Sequence, residues 1–236
     1  MLHDADSNVL LALLENLAVG PAHLQILLER KELPSRVLEL LSRHRRWTAE
    51  YPVRRGLALH PRTPRLIALR FLRQLYLMDL VQASLLPSVP AELRRIADEL
   101  LISRLPQLPL GQKLTLARRA SARVAGALLA EGHERVARLV LDNPFLTETQ
   151  VLRALAGSKL PAAVVESIAR HSKWRTRADV RLALLRHPQM SLALRLTLLQ
   201  ELPLRSLQTL AESPSLSPHL RRYYRGQLDQ RRSAKS

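Results

Sequence analysis

Apolar residues along the chain recur at helical spacing. Leu24, Leu27 and Leu28 follow i, i+3, i+4, while Leu69, Leu72 and Leu75 step by three, as do Leu196, Leu199 and Leu202. Positions so spaced share one face of a helix, whereas a half-buried strand alternates at every second residue; no alternating run occurs. Short polar and proline signals stand ahead of these runs: His60-Pro61-Arg62-Thr63-Pro64, Asn143-Pro144-Phe145-Leu146-Thr147, His187-Pro188-Gln189-Met190-Ser191 and Ser213-Pro214-Ser215-Leu216-Ser217. A Ser, Thr or Asn oxygen satisfies an orphan N–H and proline tolerates the first turn, so each signal opens a helix. Pro34, Pro61 and Pro87 are separated by steps of 27 and then 26, and Pro161, Pro188 and Pro214 by the same two steps. Such an interval holds two short helices, for example about 49–59 with about 64–75.

The second occurrence of those intervals is no accident of composition. At a 127-residue offset the chain overlays itself without a gap: 9–101 against 136–228 gives 27 identities in 93 positions. His44 and Trp47 fall on His171 and Trp174, Val53-Arg54 on Val180-Arg181, His60-Pro61 on His187-Pro188, and Leu93-Arg94-Arg95 on Leu220-Arg221-Arg222. Short helices that cannot bury an apolar stripe alone bury it by stacking on their neighbours. The expected fold is therefore all-α: an α-solenoid of short helix pairs, HEAT-like, built from a tandem internal duplication with a 127-residue offset. The expected divisions are a first half at 1–102, a Pro-containing break with bridging helices at 103–135, a second half at 136–230 and a disordered basic tail at 231–236. The whole is expected to form one continuous superhelix.

The repeated pattern of N/H-P, followed by H-x-x-W, V-R and H-P, resembles the HEAT-like and leucine-rich-repeat-variant helical proteins of bacteria over about 9–230. That resemblance implies architecture and little about activity, because such folds host unrelated functions. The variant family typically carries an N-terminal cysteine cluster for an iron–sulfur centre, and this chain contains no Cys.

Composition narrows the chemistry. Without Cys there is no disulfide framework, thiolate metal site or cysteine nucleophile. With 7 Gly and no G-x-S-x-G, Walker or G-x-G-x-x-G motif, neither a nucleophile elbow nor a phosphate-cradling loop is present. The duplicated histidines lack the i, i+4 spacing of a helical metal site and read as a turn that occurs twice. Trp47 and Trp174 read as packed rings rather than base-stacking platforms, since only 8 aromatics occur in 236 residues. No cofactor is expected. No apolar stretch reaches the roughly 18 residues of a membrane span, and the start of the chain is acidic, unlike a signal peptide; a soluble, cytoplasmic protein is expected, with a monomer favoured.

Charge is the functional clue: the net is +17, which biases partners toward nucleic acid or acidic proteins. Segment 1–102 holds 14 Lys and Arg against 11 Asp and Glu, and 103–236 holds 23 against 9, so the nets are +3 and +14. The candidate polyanion-binding residues form three groups: Arg118, Arg119 and Arg123; Arg170, Lys173, Arg175, Arg177 and Arg181; Arg221, Arg222 and Arg225. The expected function is a non-enzymatic binding protein whose basic C-terminal half holds nucleic acid through phosphate contacts. One alternative is a scaffold for an acidic or helical peptide. Another is an alkylpurine DNA glycosylase of the HEAT-like type, whose resemblance implies a catalytic Asp; Asp179, near Trp174, is the one candidate.

Overall fold

A computed structural model of the protein describes residues 7–16, 18–157, 160–214 and 216–233. Among them are eighteen α-helices and no strand. None of these helices is long and apolar enough to cross a membrane. The chain divides into two compact units, Met1–Gln107 and Leu108–Ser236.

The first unit holds α1 (Ser7–Glu15), α2 (Pro21–Glu29), α3 (Ser35–Arg43), α4 (Arg45–Thr48), α5 (Tyr51–Leu59), α6 (Arg65–Leu72), α7 (Leu77–Leu85) and α8 (Ala91–Arg104), closed by a 3-10 turn at Leu105–Gln107. Helix α5 starts two residues after the expected position, because Glu50 is the extended N-cap residue and Pro52 occupies the first turn. The i, i+3, i+4 set on α2 is buried as a set: Leu24, Leu27 and Leu28. Helix α1 packs on α3, α2 on α5, and α6 on α8.

The second unit holds α9 (Leu110–Arg119), α10 (Ala122–Ala130), α11 (Glu134–Leu141), α12 (Glu148–Ala156), α13 (Ala162–Arg170), α14 (Ser172–Arg175), α15 (Ala178–Arg186), α16 (Leu192–Gln200), α17 (Leu204–Glu212) and α18 (Pro218–Ser233). Here the stacking runs in two rows. Helix α9 packs on α11 and α11 on α13, while α10 packs on α12, α12 on α15 and α15 on α17. Gly132, between α10 and α11, takes φ of 79°, the left-handed conformation that ends a helix without a Cβ penalty.

Every helix start from α1 to α8 recurs from α11 to α18 at the offset of the sequence overlay: 7 and 134, 21 and 148, 35 and 162, 45 and 172, 51 and 178, 65 and 192, 77 and 204, 91 and 218. Within the 103–135 stretch, α9 and α10 bury Leu116, Ala117, Val124, Ala125, Leu128 and Leu129 and stack on α11 and α12 within the second unit. One expectation changes. The basic tail is structured as far as the description reaches, since α18 continues to Ser233. Arg231 anchors that end, donating to the Leu202 carbonyl at 2.9 Å and to that of Leu199. Arg104 closes the first unit alike, donating to the Leu75 and Arg73 carbonyls at 3.1 Å each. Residues 234–236 lie outside the described residues.

Candidate functional site

The eleven basic residues singled out from the sequence are all on the second unit, and the structure gives them different surroundings. Arg181 and Arg221 are turned to their own fold. Arg181 donates to the carbonyls of Arg175, Thr176 and Glu201 at 3.2, 3.4 and 3.1 Å, tying the α14–α15 junction to the end of α16. Arg221 donates to the Pro214 and Leu216 carbonyls at 3.2 and 3.1 Å and so pins the loop before α18. Arg170 pairs with Glu166 one turn back at 3.0 Å, and Arg175 pairs with Glu201. Lys173 lies over the Trp174 ring, 4.3 Å from its centroid. Arg118, Arg119, Arg177, Arg222 and Arg225 are exposed, with no side-chain partner among the described residues, and Arg123 is exposed on α10.

The junctions that carry His and Trp are built alike in both units. Trp47 and Trp174 are buried, and each has a cation over its ring: Arg46 at 4.2 Å from the Trp47 centroid and Lys173 in the second unit. The indoles differ in one bond. Trp174 Nε1 donates to the Leu141 carbonyl at 2.9 Å, whereas Trp47 Nε1 is buried without a partner. His60 and His187 staple turns. His60 Nε2 donates to the Arg30 carbonyl at 2.8 Å while its Nδ1 accepts from the Arg62 N–H at 3.1 Å. His187 makes the same pair with Gly157 and Gln189, at 3.4 and 3.2 Å. Burial holds both rings below the usual value of 6.5, in the neutral form this bonding requires. Asp179 is exposed in the first turn of α15, and Arg175, four residues before it, is taken by Glu201. No group of three or more metal-ligating side chains occurs among the described residues.

Beside each staple lies a recess. The one in the first unit, about 440 Å³, is floored by Leu28, Leu59 and Leu86 between α2, α5 and α7. Its wall is polar. Asp79 accepts from Tyr51 Oη and, at 2.6 Å, from Arg55 Nε, and Arg55 also donates to Gln82. Tyr51 Oη accepts from the Tyr76 N–H at 2.9 Å, and the two rings stack 4.1 Å apart. Burial, then the Asp79 carboxylate, push the Tyr51 hydroxyl up to about 12. The recess of the second unit, about 420 Å³, is lined by Leu152, Leu155, Ala156, Ala183, Arg186, His187 and Pro188. Each of the seven matches a lining residue of the first recess in the overlay of the two units. The polar wall is gone: Ala178, Leu182, Ser206 and Thr209 stand where Tyr51, Arg55, Asp79 and Gln82 do.

The helix register also corrects the charge comparison. Residues 7–104 carry 15 Lys and Arg against 9 Asp and Glu, and 134–231 carry 16 against 8, so matched stretches differ by two charges, not eleven. The division at 102/103 placed the basic α9–α10 region and the last residues with one half and the acidic first residues with the other. What differs is placement. Arg153, Arg186 and Arg205, exposed and without a side-chain partner among the described residues, stand where the first unit has Ile26, Leu59 and Met78. Each of the three is isolated along the chain, outside the runs of clustered cations, and stands out only by its contrast with an apolar residue at the overlaid position.

Compared with protein-family models, with curated proteins and with solved structures, the chain finds no match.

Proposed function

We propose that the chain is a tandem duplication of stacked helix pairs, a HEAT-like α-solenoid in each unit, and that it works as a non-enzymatic binding protein whose second unit holds a polyanion, nucleic acid above all. The observation that carries this reading is the set of exposed second-unit arginines without a carboxylate partner. A guanidinium spent on an ion pair gives little to a ligand, whereas a solvated one releases a phosphate counterion on contact. With few aromatics to stack on bases, binding through the backbone would show little sequence preference. Filter binding of labelled DNA and RNA tests the reading: retention at low salt that falls steeply with added salt is expected, and no retention of either would end it.

The polar recess of the first unit favours a second reading there, a seat for an acidic or helical peptide, because Lys31, Gln25 and Gln82, with Glu29 beside them, border an apolar floor. Nuclease treatment before a pull-down separates the two: partners that persist favour the peptide, and partners that vanish favour nucleic acid.

A further inference from the structure

The second row of the second unit presents one exposed arginine per helix: Arg123 on α10, Arg153 on α12, Arg186 on α15 and Arg205 on α17. These helices pack on one another in that order, so their outward sides form one surface. Helical geometry turns the side chains to it. Arg153 lies two residues from the buried Val151 and Leu155, and Arg205 two residues from the buried Leu207, about 200° round a helix of 3.6 residues per turn. Packed helices stand about 8–10 Å apart, and Arg153, Arg186 and Arg205 are the sixth, ninth and second residues of their helices, so the guanidinium groups are spread too widely to converge on one small anion, whereas a chain of anions can span them.

We propose that this face is a track for the phosphate backbone of a nucleic-acid strand, with Arg153, Arg186 and Arg205 as its contacts. The inference rests on the polyanion reading above and assigns it a surface. Two observations carry it besides exposure. The same three positions of the first unit are Ile26, Leu59 and Met78, of which Ile26 and Met78 are exposed, so the helix pair does not need arginine there to fold. Because the matched stretches are nearly equal in net charge, the three arginines reflect where cations are placed and not a general excess. Arginine also offers the forked donor that meets phosphate through two bonds at once.

The test titrates fluorescent oligo-dT and a random-sequence duplex against the full chain over a range of salt. The triple variant R153Q/R186Q/R205Q is expected to lose at least about tenfold in affinity, and its log K against log salt slope to flatten by roughly 2–3, at about 0.7–0.9 per lost phosphate contact. R153K/R186K/R205K, which keeps the charges, should keep the slope, showing that the glutamine variant acts through charge and not misfolding. R36Q/R45Q/R73Q removes three exposed first-unit charges and should leave affinity within about twofold once three phosphate contacts are spared. Equal losses from both glutamine variants, or an unchanged slope in the first, overturns the assigned surface while leaving polyanion binding intact. Polyglutamate displacing the strand from wild type at lower concentration than competitor DNA would make an acidic protein the partner and overturn the inference. No oligonucleotide binding by wild type fails the polyanion reading itself.

Discussion

The recess beside His60 and the recess beside His187 share a turn staple and seven matched lining positions, yet the first is also walled by Tyr51, Arg55 and Gln82, with Asp79 bonded behind them, whereas the second unit has Ala178, Leu182, Thr209 and Ser206 at those positions and none of them lines its recess. The difference separates what holds a unit together from what is added to it. The staple, the buried tryptophan and the clasp of Arg104 or Arg231 occur in both units and so belong to the fold. The polar wall occurs in one and the arginines of the second row in the other, so neither is a condition of stacking. In the second unit the cost of a buried cation is met locally. Arg195, buried where the first unit has Ala68, donates to the carbonyls of Leu185, His187 and Met190 at the end of α15 and to Tyr224 Oη, which itself donates to the Leu185 carbonyl at 2.7 Å. A guanidinium at a helix C-terminus meets the negative end of the dipole, and this one needs no carboxylate.

Breaking the shared elements should cost most. Trp174→Ala should destabilise by about 3–5 kcal/mol in urea unfolding, from lost burial and the cavity left behind. Trp174→Phe should cost more than Trp47→Phe by about 1 kcal/mol, since only Trp174 surrenders an indole bond; equal losses would show that the two junctions are energetically alike despite that bond. Arg195→Leu should cost about 3 kcal/mol, because several buried acceptors lose their donor at once, whereas Ala68→Gly, at the matching site, should cost about 1 kcal/mol as a helix-propensity effect. A smaller loss at Arg195 would mean that water replaces it.

Smaller effects sharpen the contrast between recesses. Tyr51→Phe should cost about 1 kcal/mol, since Asp79 keeps Arg55 while the Tyr76 N–H loses its acceptor. The staples predict a pH effect common to both units. His60 and His187 titrate below 6.5 in the folded protein, so the unfolded chain binds more protons, and stability falls as pH drops through 6.5 toward the folded values. The melting temperature of wild type should therefore fall between pH 7.5 and pH 5, and the fall should shrink in the His60→Gln/His187→Gln variant; an undiminished fall would place the acid sensitivity elsewhere.

Helix positions were legible in the sequence because local chemistry sets them. Prolines mark many of the starts, standing at or just inside them as at α3, α5, α6, α13 and α18, although the expected caps Thr147 and Ser191 make no side-chain capping bond, and the spacing of Leu24, Leu27 and Leu28 marks the buried side. The roles of individual arginines were not legible, since Arg181, Arg195, Arg221 and Arg231 have the same side chain as Arg118 or Arg222 and differ in whether carbonyls of distant helices lie within reach. Such carbonyls come together only in the folded chain. Net charge misled for a related reason: it counts cations without regard to face, and the informative contrast is Ile26, Leu59 and Met78 against Arg153, Arg186 and Arg205.

The clasp formed by Arg104 bears on the order in which the protein takes shape during synthesis. Its acceptors, the carbonyls of Arg73 and Leu75, belong to the same unit, and every described partner it needs has been made once the chain has passed residue 104. A chain folding from its N-terminus can thus seal α6 against α8 without waiting for the second unit. Polar groups at the end of α6 are then covered without any contribution from the second unit.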